Sequence, residues 1–132
     1  MVGVKPIAEC GHGIVVLLGI GVGDKPEATT TLADKIANLR IFEDEQGKTN
    51  RSILEINGEA IVVSQFTLYA DTRKGRRPSF MKAAAPELAA PMVLQLAEEL
   101  RSHGIRTQTG KFGENMLVEI HNDGPFTIWL EN

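Results

Sequence analysis

The chain has 132 residues, of which 42% are apolar and 23% charged, with a single cysteine. That is enough apolar material for one packed domain spanning 1–132, and one cysteine excludes both an intrachain disulfide framework and a thiolate zinc cluster. A net charge of −3 excludes a protein that grips nucleic acid by bulk electrostatics, because such binding scales with the phosphates neutralised.

In chain order, the first signal is Ile14-Val15-Val16-Leu17-Leu18-Gly19-Ile20, a continuous apolar run bounded by glycines. Such a run predicts a strand buried on both faces, central in a sheet. It is too short to cross a bilayer and lacks the basic flank and cleavage site of a signal peptide, so the expectation is a reducing, cytoplasmic setting without membrane. Gly19-Ile20-Gly21-Val22-Gly23 follows the strand, but Asp24 stands where a dinucleotide fingerprint needs its third glycine, so the segment reads as a strand-to-helix turn. Asp24, Pro26 and Glu27 predict a capped helix start, and Leu32, Ile36 and Leu39 recur at helical spacing.

The stretch from Glu43 to Gly47 reads as a turn. Asn57-Gly58 predicts a hairpin that pairs Ile53–Ile56 with Ala60–Val63 antiparallel. A second helix is expected from Pro86 to His103, with Leu88, Val93, Leu96 and Leu100 on its apolar stripe and Gly104 ending it. Pro91 either marks its first turn or kinks it. Arg106–Thr109, Met116–Ile120 and Phe126–Leu130 predict three further strands.

Several segments carry chemistry-bearing groups. Ser64-Gln65-Phe66-Thr67 places hydroxyls and an amide at the end of an apolar strand, where they either satisfy a turn or face a ligand. No nucleophile elbow is present, and no nearby motif supplies a base to activate Ser64 or Thr67. His12, His103 and His121 fall in no metal-ligating spacing, so neither metal nor cofactor is expected; His103 fits the carbonyl end of the second helix. Arg73-Lys74-Gly75-Arg76-Arg77 gathers four of fourteen cations into a patch that is either a solvated loop or a handle for phosphates. Gly124-Pro125 reads as a turn, or as an X-Pro bond whose cis form turns two carbonyls the same way.

Ser64-Gln65-Phe66-Thr67-Leu68, Arg77-Pro78-Ser79-Phe80 and Asn122-Asp123-Gly124-Pro125, in this order, resemble the signature segments of the D-aminoacyl-tRNA deacylases. The likeness extends from about Ile7 to the C-terminus. It implies an α+β fold with a mostly antiparallel, barrel-like sheet and two main helices. It also implies a homodimer with active sites at the subunit interface, acting on the acceptor end of aminoacyl-tRNA by cleaving the ester of D-aminoacyl-tRNA. On this resemblance Ser64, Gln65, Phe66 and Thr67 form the catalytic floor, and Gly124-Pro125 of the other subunit is a cis chiral filter that rejects L side chains. Phe80, Phe112 and Met116 would pack around the terminal adenosine, and Arg73, Lys74, Arg76 and Arg77 would meet tRNA phosphates. Catalysis would be RNA-assisted through the ribose 2′-hydroxyl. The family's first strand, with its glutamine-arginine-valine stretch, has no counterpart in this sequence; Thr49 and Phe126 depart from the family's usual methionine and valine. Two alternatives are a tRNA-binding or structural relative without turnover, and a small-molecule esterase using Ser64 or Thr67 as nucleophile.

Overall fold

The computed structural model describes residues 6–123 and 126–131. The chain runs β1 (Gly13–Leu18), α1 (Pro26–Asn38), β2 (Phe42–Glu43), β3 (Thr49–Arg51), β4 (Glu59–Ser64), a 3-10 turn (Phe66–Tyr69), α2 (Pro86–Ser102) and β5 (Arg106–Thr109). The expected α+β class with two main helices holds, but the sheet differs from expectation. Its order is β1-β4-β5, and both pairings are parallel. The named antiparallel ladder is the short β2–β3 hairpin, and neither sheet closes into a barrel.

Parallel neighbours need crossover connections. The segment carrying α1 joins β1 to β4, and the segment carrying α2 joins β4 to β5. α2 packs on β4 and β5, and α1 packs on α2. The core between them holds Ala60, Val62, Ala33, Ala37, Leu96, Ala97 and Leu100, none exposed at all. β4, rather than β1, is the central strand. Among the described residues β1 is paired along one edge only, which leaves most of its run half-buried and Leu17 exposed.

The Asn57-Gly58 hairpin is also overturned. Residues 52–58 form a helical turn closed by Gly58 N–H to Ile53 O at 2.9 Å and Asn57 N–H to Leu54 O at 3.2 Å. With Asn57 at φ 57°, this is a left-handed helix-ending motif, a second use of the Asn-Gly pair. Its start is a reciprocal capping box, Ser52 N–H to Glu55 Oε1 at 3.1 Å and Glu55 N–H to Ser52 Oγ at 3.3 Å, which the Ser-Ile-Leu-Glu spacing encodes.

Both helices open on proline, as expected. Asp24 does not cap α1, since Lys25 holds that position, and the Asp24 carboxylate instead accepts the Gly21 amide at 2.7 Å. Pro91 lies inside α2. Leu88 is exposed, and Ala89, Met92, Val93, Leu96, Ala97 and Leu100 form the buried stripe. Gly104, at φ 95°, follows the helix end as predicted. In the C-terminal third only β5 forms. Met116–Ile120 and Phe126–Leu130 adopt no strand among the described residues, where Met116 forms an isolated bridge. Among the described residues, no helix is long and apolar enough to cross a membrane.

Candidate functional site

The site is built where β4 leaves the sheet. Ser64 lies opposite Leu18 of β1, and the Gln65 amide donates to Leu18 O at 2.8 Å, which extends the ladder one residue beyond the strand. The chain then tightens into the 3-10 turn through Leu68 N–H to Gln65 O at 3.2 Å and Ala70 N–H to Thr67 O at 3.0 Å. The Gln65 side-chain amide donates to Thr67 Oγ1. This partner orients the threonine hydroxyl, but an amide cannot take its proton as a base would. Phe66 remains 55% exposed, and its ring meets Phe80 edge-on with centroids 5.0 Å apart.

Ser64 also lines a cleft of about 220 Å³, together with Val62, Ala90, Leu94, Lys111 and Phe112. It is smaller than the ~300 Å³ lower bound usual for whole small-molecule sites, the scale of a fragment such as one base. Gly110 N–H donates to Val62 O at 3.0 Å, carrying the β4–β5 pairing to the mouth of this cleft. Met116 folds back over the same exit, its sulfur accepting Lys111 N–H at 3.4 Å. A Cβ on Gly110 would lie 2.9 Å from that sulfur, so a larger residue there would displace the Met116 side chain. The structure thus gathers Ser64 and Phe112 at the cleft with Met116 beside it, and Gln65, Phe66, Thr67 and Phe80 at the turn that follows. Gly110 and Lys111 lie in a stretch that carries the family resemblance but were given no site role from sequence; the glycine after β5 was the available signal.

A shallower hollow of about 310 Å³ lies over the first turn of α1, lined by Gly23, Asp24, Lys25, Glu27, Ala28 and Thr31. It contains none of the candidate residues.

The basic loop is tied at its base by Asp71 N–H to Ser79 O at 2.7 Å and Ser79 N–H to Asp71 O at 2.8 Å. Its four cations are not equivalent. Arg73 is engaged by Asp71, with a closest approach of 2.7 Å, and hydrogen bonds from the Arg73 side chain and amide hold the Asp71 carboxyl well below the usual carboxylate range. Lys74, Arg76 and Arg77 are exposed and form no ion pair among the described residues.

Gly124 and Pro125 lie outside the described residues, and so does any statement of their peptide geometry. On either side of them, Asn122 spans the loop: its Nδ2 donates to Thr127 Oγ1 at 3.0 Å and its Oδ1 accepts Phe126 N–H at 3.4 Å. Sequence reasoning named Asn122 as part of a motif and missed this clasp. His103 sits at the carbonyl end of α2. Among the described residues, no group of three or more His, Cys, Asp or Glu is arranged to hold a metal ion.

A family model described as D-Tyr-tRNA(Tyr) deacylase matches residues 1–131. The D-aminoacyl-tRNA deacylase of Roseiflexus sp. (strain RS-1) is 58% identical over 131 residues, covering 99% of this chain and 84% of its own length. That of Geobacillus sp. (strain WCH70) is 53% identical over 126 residues, covering 96% and 83%. Among solved structures, one titled c-Myc DNA Unwinding Element Binding Protein is similar with a TM-score of 0.92 and 42% identity, covering 100% of this chain and 90% of its own. A probable eukaryotic D-amino acid tRNA deacylase reaches a TM-score of 0.73 at 17% identity, covering 87% and 83%, a likeness of fold alone.

Proposed function

The chain belongs to the D-Tyr-tRNA(Tyr) deacylase family, and from that premise we propose how its pocket performs D-aminoacyl-tRNA editing. The activity is that of an aminoacyl-tRNA hydrolase that releases a free D-amino acid and tRNA. The observation that carries the site-level reading is the position of Ser64 between a base-sized cleft and the Gln65-Phe66-Thr67 turn, of which Phe66 and Thr67 are exposed.

In this reading the terminal adenosine enters the cleft against Phe112 and Met116, whose aromatic and thioether surfaces suit a base. Phe80, edge-on to Phe66, walls the adjoining side. The ester then lies over the 3-10 turn. The first amides of such a turn have no acceptor within it, so Phe66 and Thr67 offer N–H groups to the oxyanion that forms when water attacks the carbonyl. Thr67 bonded to an amide rather than to a base supports activation of water by the ribose 2′-hydroxyl over a serine or threonine nucleophile.

Gly124-Pro125 of a second protomer would close the pocket as a cis pair, leaving an L side chain no room and accepting D-amino acids and glycine; discrimination is then by exclusion. The exposed apolar groups Val118, Ile120, Phe126, Ile128 and Trp129 support an association of two chains. The family's first strand would pair on the edge of β1 that β4 does not occupy. Lys74, Arg76 and Arg77, with Arg73 held at the loop base, would meet acceptor-end phosphates, and a cytoplasmic location follows from the substrate. A relative without turnover is disfavoured by the match to deacylases over nearly the whole chain.

Purified protein given D-tyrosyl-tRNA and L-tyrosyl-tRNA is expected to cleave only the first. Equal cleavage, or none, overturns the reading. A 2′-deoxy terminal adenosine should abolish turnover, whereas an acyl-probe adduct on Ser64 or Thr67 would favour the esterase alternative.

A further inference from the structure

Two of the three glycines after β1 are explained by neither a turn nor a phosphate. Gly23 has a φ of 89°, which accounts for its place in the turn before α1. Gly19 and Gly21 have no positive φ, so conformational freedom does not require them. Contact does. A Cβ on Gly21 would lie 2.6 Å from the Tyr69 hydroxyl oxygen and 2.8 Å from two of its ring carbons, and one on Gly19 would lie 3.1 Å from Tyr69 Cε2. The phenol ring crosses a backbone bed that only glycine leaves open.

Tyr69 is the last residue of the 3-10 turn that carries Phe66 and Thr67. A single 3-10 turn is held by few bonds of poor geometry and needs anchoring at both ends. The upstream anchor is Gln65 N–H to Leu18 O at 2.8 Å. Downstream, the bed under Tyr69 is itself fixed by Val22 N–H to Lys82 O at 2.9 Å and Ala84 N–H to Ile20 O at 2.8 Å. Asp24 acts on both bed and ring, since it accepts Gly21 N–H at 2.7 Å and its charge bears on the phenol.

We propose that Tyr69, seated on Gly19 and Gly21 and held by Asp24, is the positioning residue that fixes the Ser64–Thr67 segment against the ester. The proposal rests on the deacylase reading above. Burial, then the charge and hydrogen bond of Asp24, push the phenol's titration up from its ordinary value, so the hydroxyl stays a neutral donor throughout the physiological range.

The test compares Tyr69→Phe, which keeps the ring and removes the hydroxyl, with Asp24→Ala, Asp24→Asn and the Tyr69→Phe/Asp24→Ala double variant. With D-tyrosyl-tRNA, Tyr69→Phe and Asp24→Ala should each lower kcat roughly tenfold, the scale of one hydrogen bond to a charged group, with KM within about twofold of wild type. The double variant should lose no more than Asp24→Ala alone, because that substitution already removes the contact that Tyr69→Phe removes, along with the Gly21 bond. Asp24→Asn keeps an acceptor and should retain most of the activity. Hydrogen exchange should quicken in the peptide covering 64–70 and stay unchanged in α2. Wild-type kcat and exchange in Tyr69→Phe, losses that multiply in the double variant, or a change confined to KM would overturn the proposal. Absent wild-type turnover would sink the deacylase reading instead, and the exchange measurement would still decide whether Tyr69 anchors the turn.

Discussion

The helix-backed sheet and the C-terminal segment use the same kinds of side chain with opposite results. Val62, Leu96 and Leu100 are fully buried between β4, α1 and α2, whereas Ile120 is 50% exposed and Trp129 63%. The difference lies in packing rather than hydrophobicity. On α2 the apolar residues recur at helical spacing and meet the face of a parallel sheet; residues 117–123 and 126–131 form no strand among the described residues, and of their apolar side chains Leu130 packs against the core. The first region can supply stability to a single chain, and the second offers an apolar surface of the kind that marks an interaction site.

The sharpest way to break this comparison is to truncate one large side chain in each region. Leu96→Ala leaves a cavity at a fully buried position and should cost about 2–5 kcal/mol in denaturant unfolding. Trp129→Ala, measured in dilute protein, should change stability by no more than about 0.5 kcal/mol, as for an exposed site. Equal losses would mean that the C-terminal segment belongs to the core after all.

The same contrast separates what was legible in the sequence from what was not. Both helices, their proline starts and the glycine after α2 were readable because propensity, period and termination agree locally there. Strand pairing was not, since it depends on distant segments. The Asn57-Gly58 pair fits a hairpin and a left-handed helix end equally well, and only the Ser52–Glu55 capping spacing, which was overlooked, favours the second. A continuous apolar run marked β1 as a strand but not its place at the sheet's edge. At the site, resemblance picked out Ser64, Phe112 and Met116, which the fold brings together, while the glycines that allow close approach, Gly19, Gly21 and Gly110, have reasons visible only in three dimensions.

A second prediction asks whether the C-terminal region contributes function without stability. Asn122 clasps the loop around residues 124–125 through Thr127 and Phe126. Asn122→Ala should lower deacylation of D-tyrosyl-tRNA by up to about tenfold, the worth of one or two exposed hydrogen bonds at ~0.5–1.5 kcal/mol each. The unfolding midpoint should stay put. A stability loss matching the activity loss would show that the loop is a structural strut and erase the distinction.

The smallest expected effect concerns the basic loop, which shares the exposure of the C-terminal segment but is tied at its base like the core. Asp71 binds Arg73 while its backbone bridges Ser79, and its folded-state titration is depressed. The sign follows from that direction. The carboxylate's contribution is fully present above its unfolded value, about 3.9, and is lost as pH falls through the lower folded value. Asp71→Asn should therefore loosen residues 72–78 at neutral pH, seen as faster amide exchange there, and the difference from wild type should narrow in acid and in high salt. Global stability should hardly move, because an exposed ion pair contributes little. If exchange in the loop is the same in both proteins at neutral pH, the Asp71–Ser79 backbone bridge alone holds it, and Arg73 is as available to phosphates as its three neighbours.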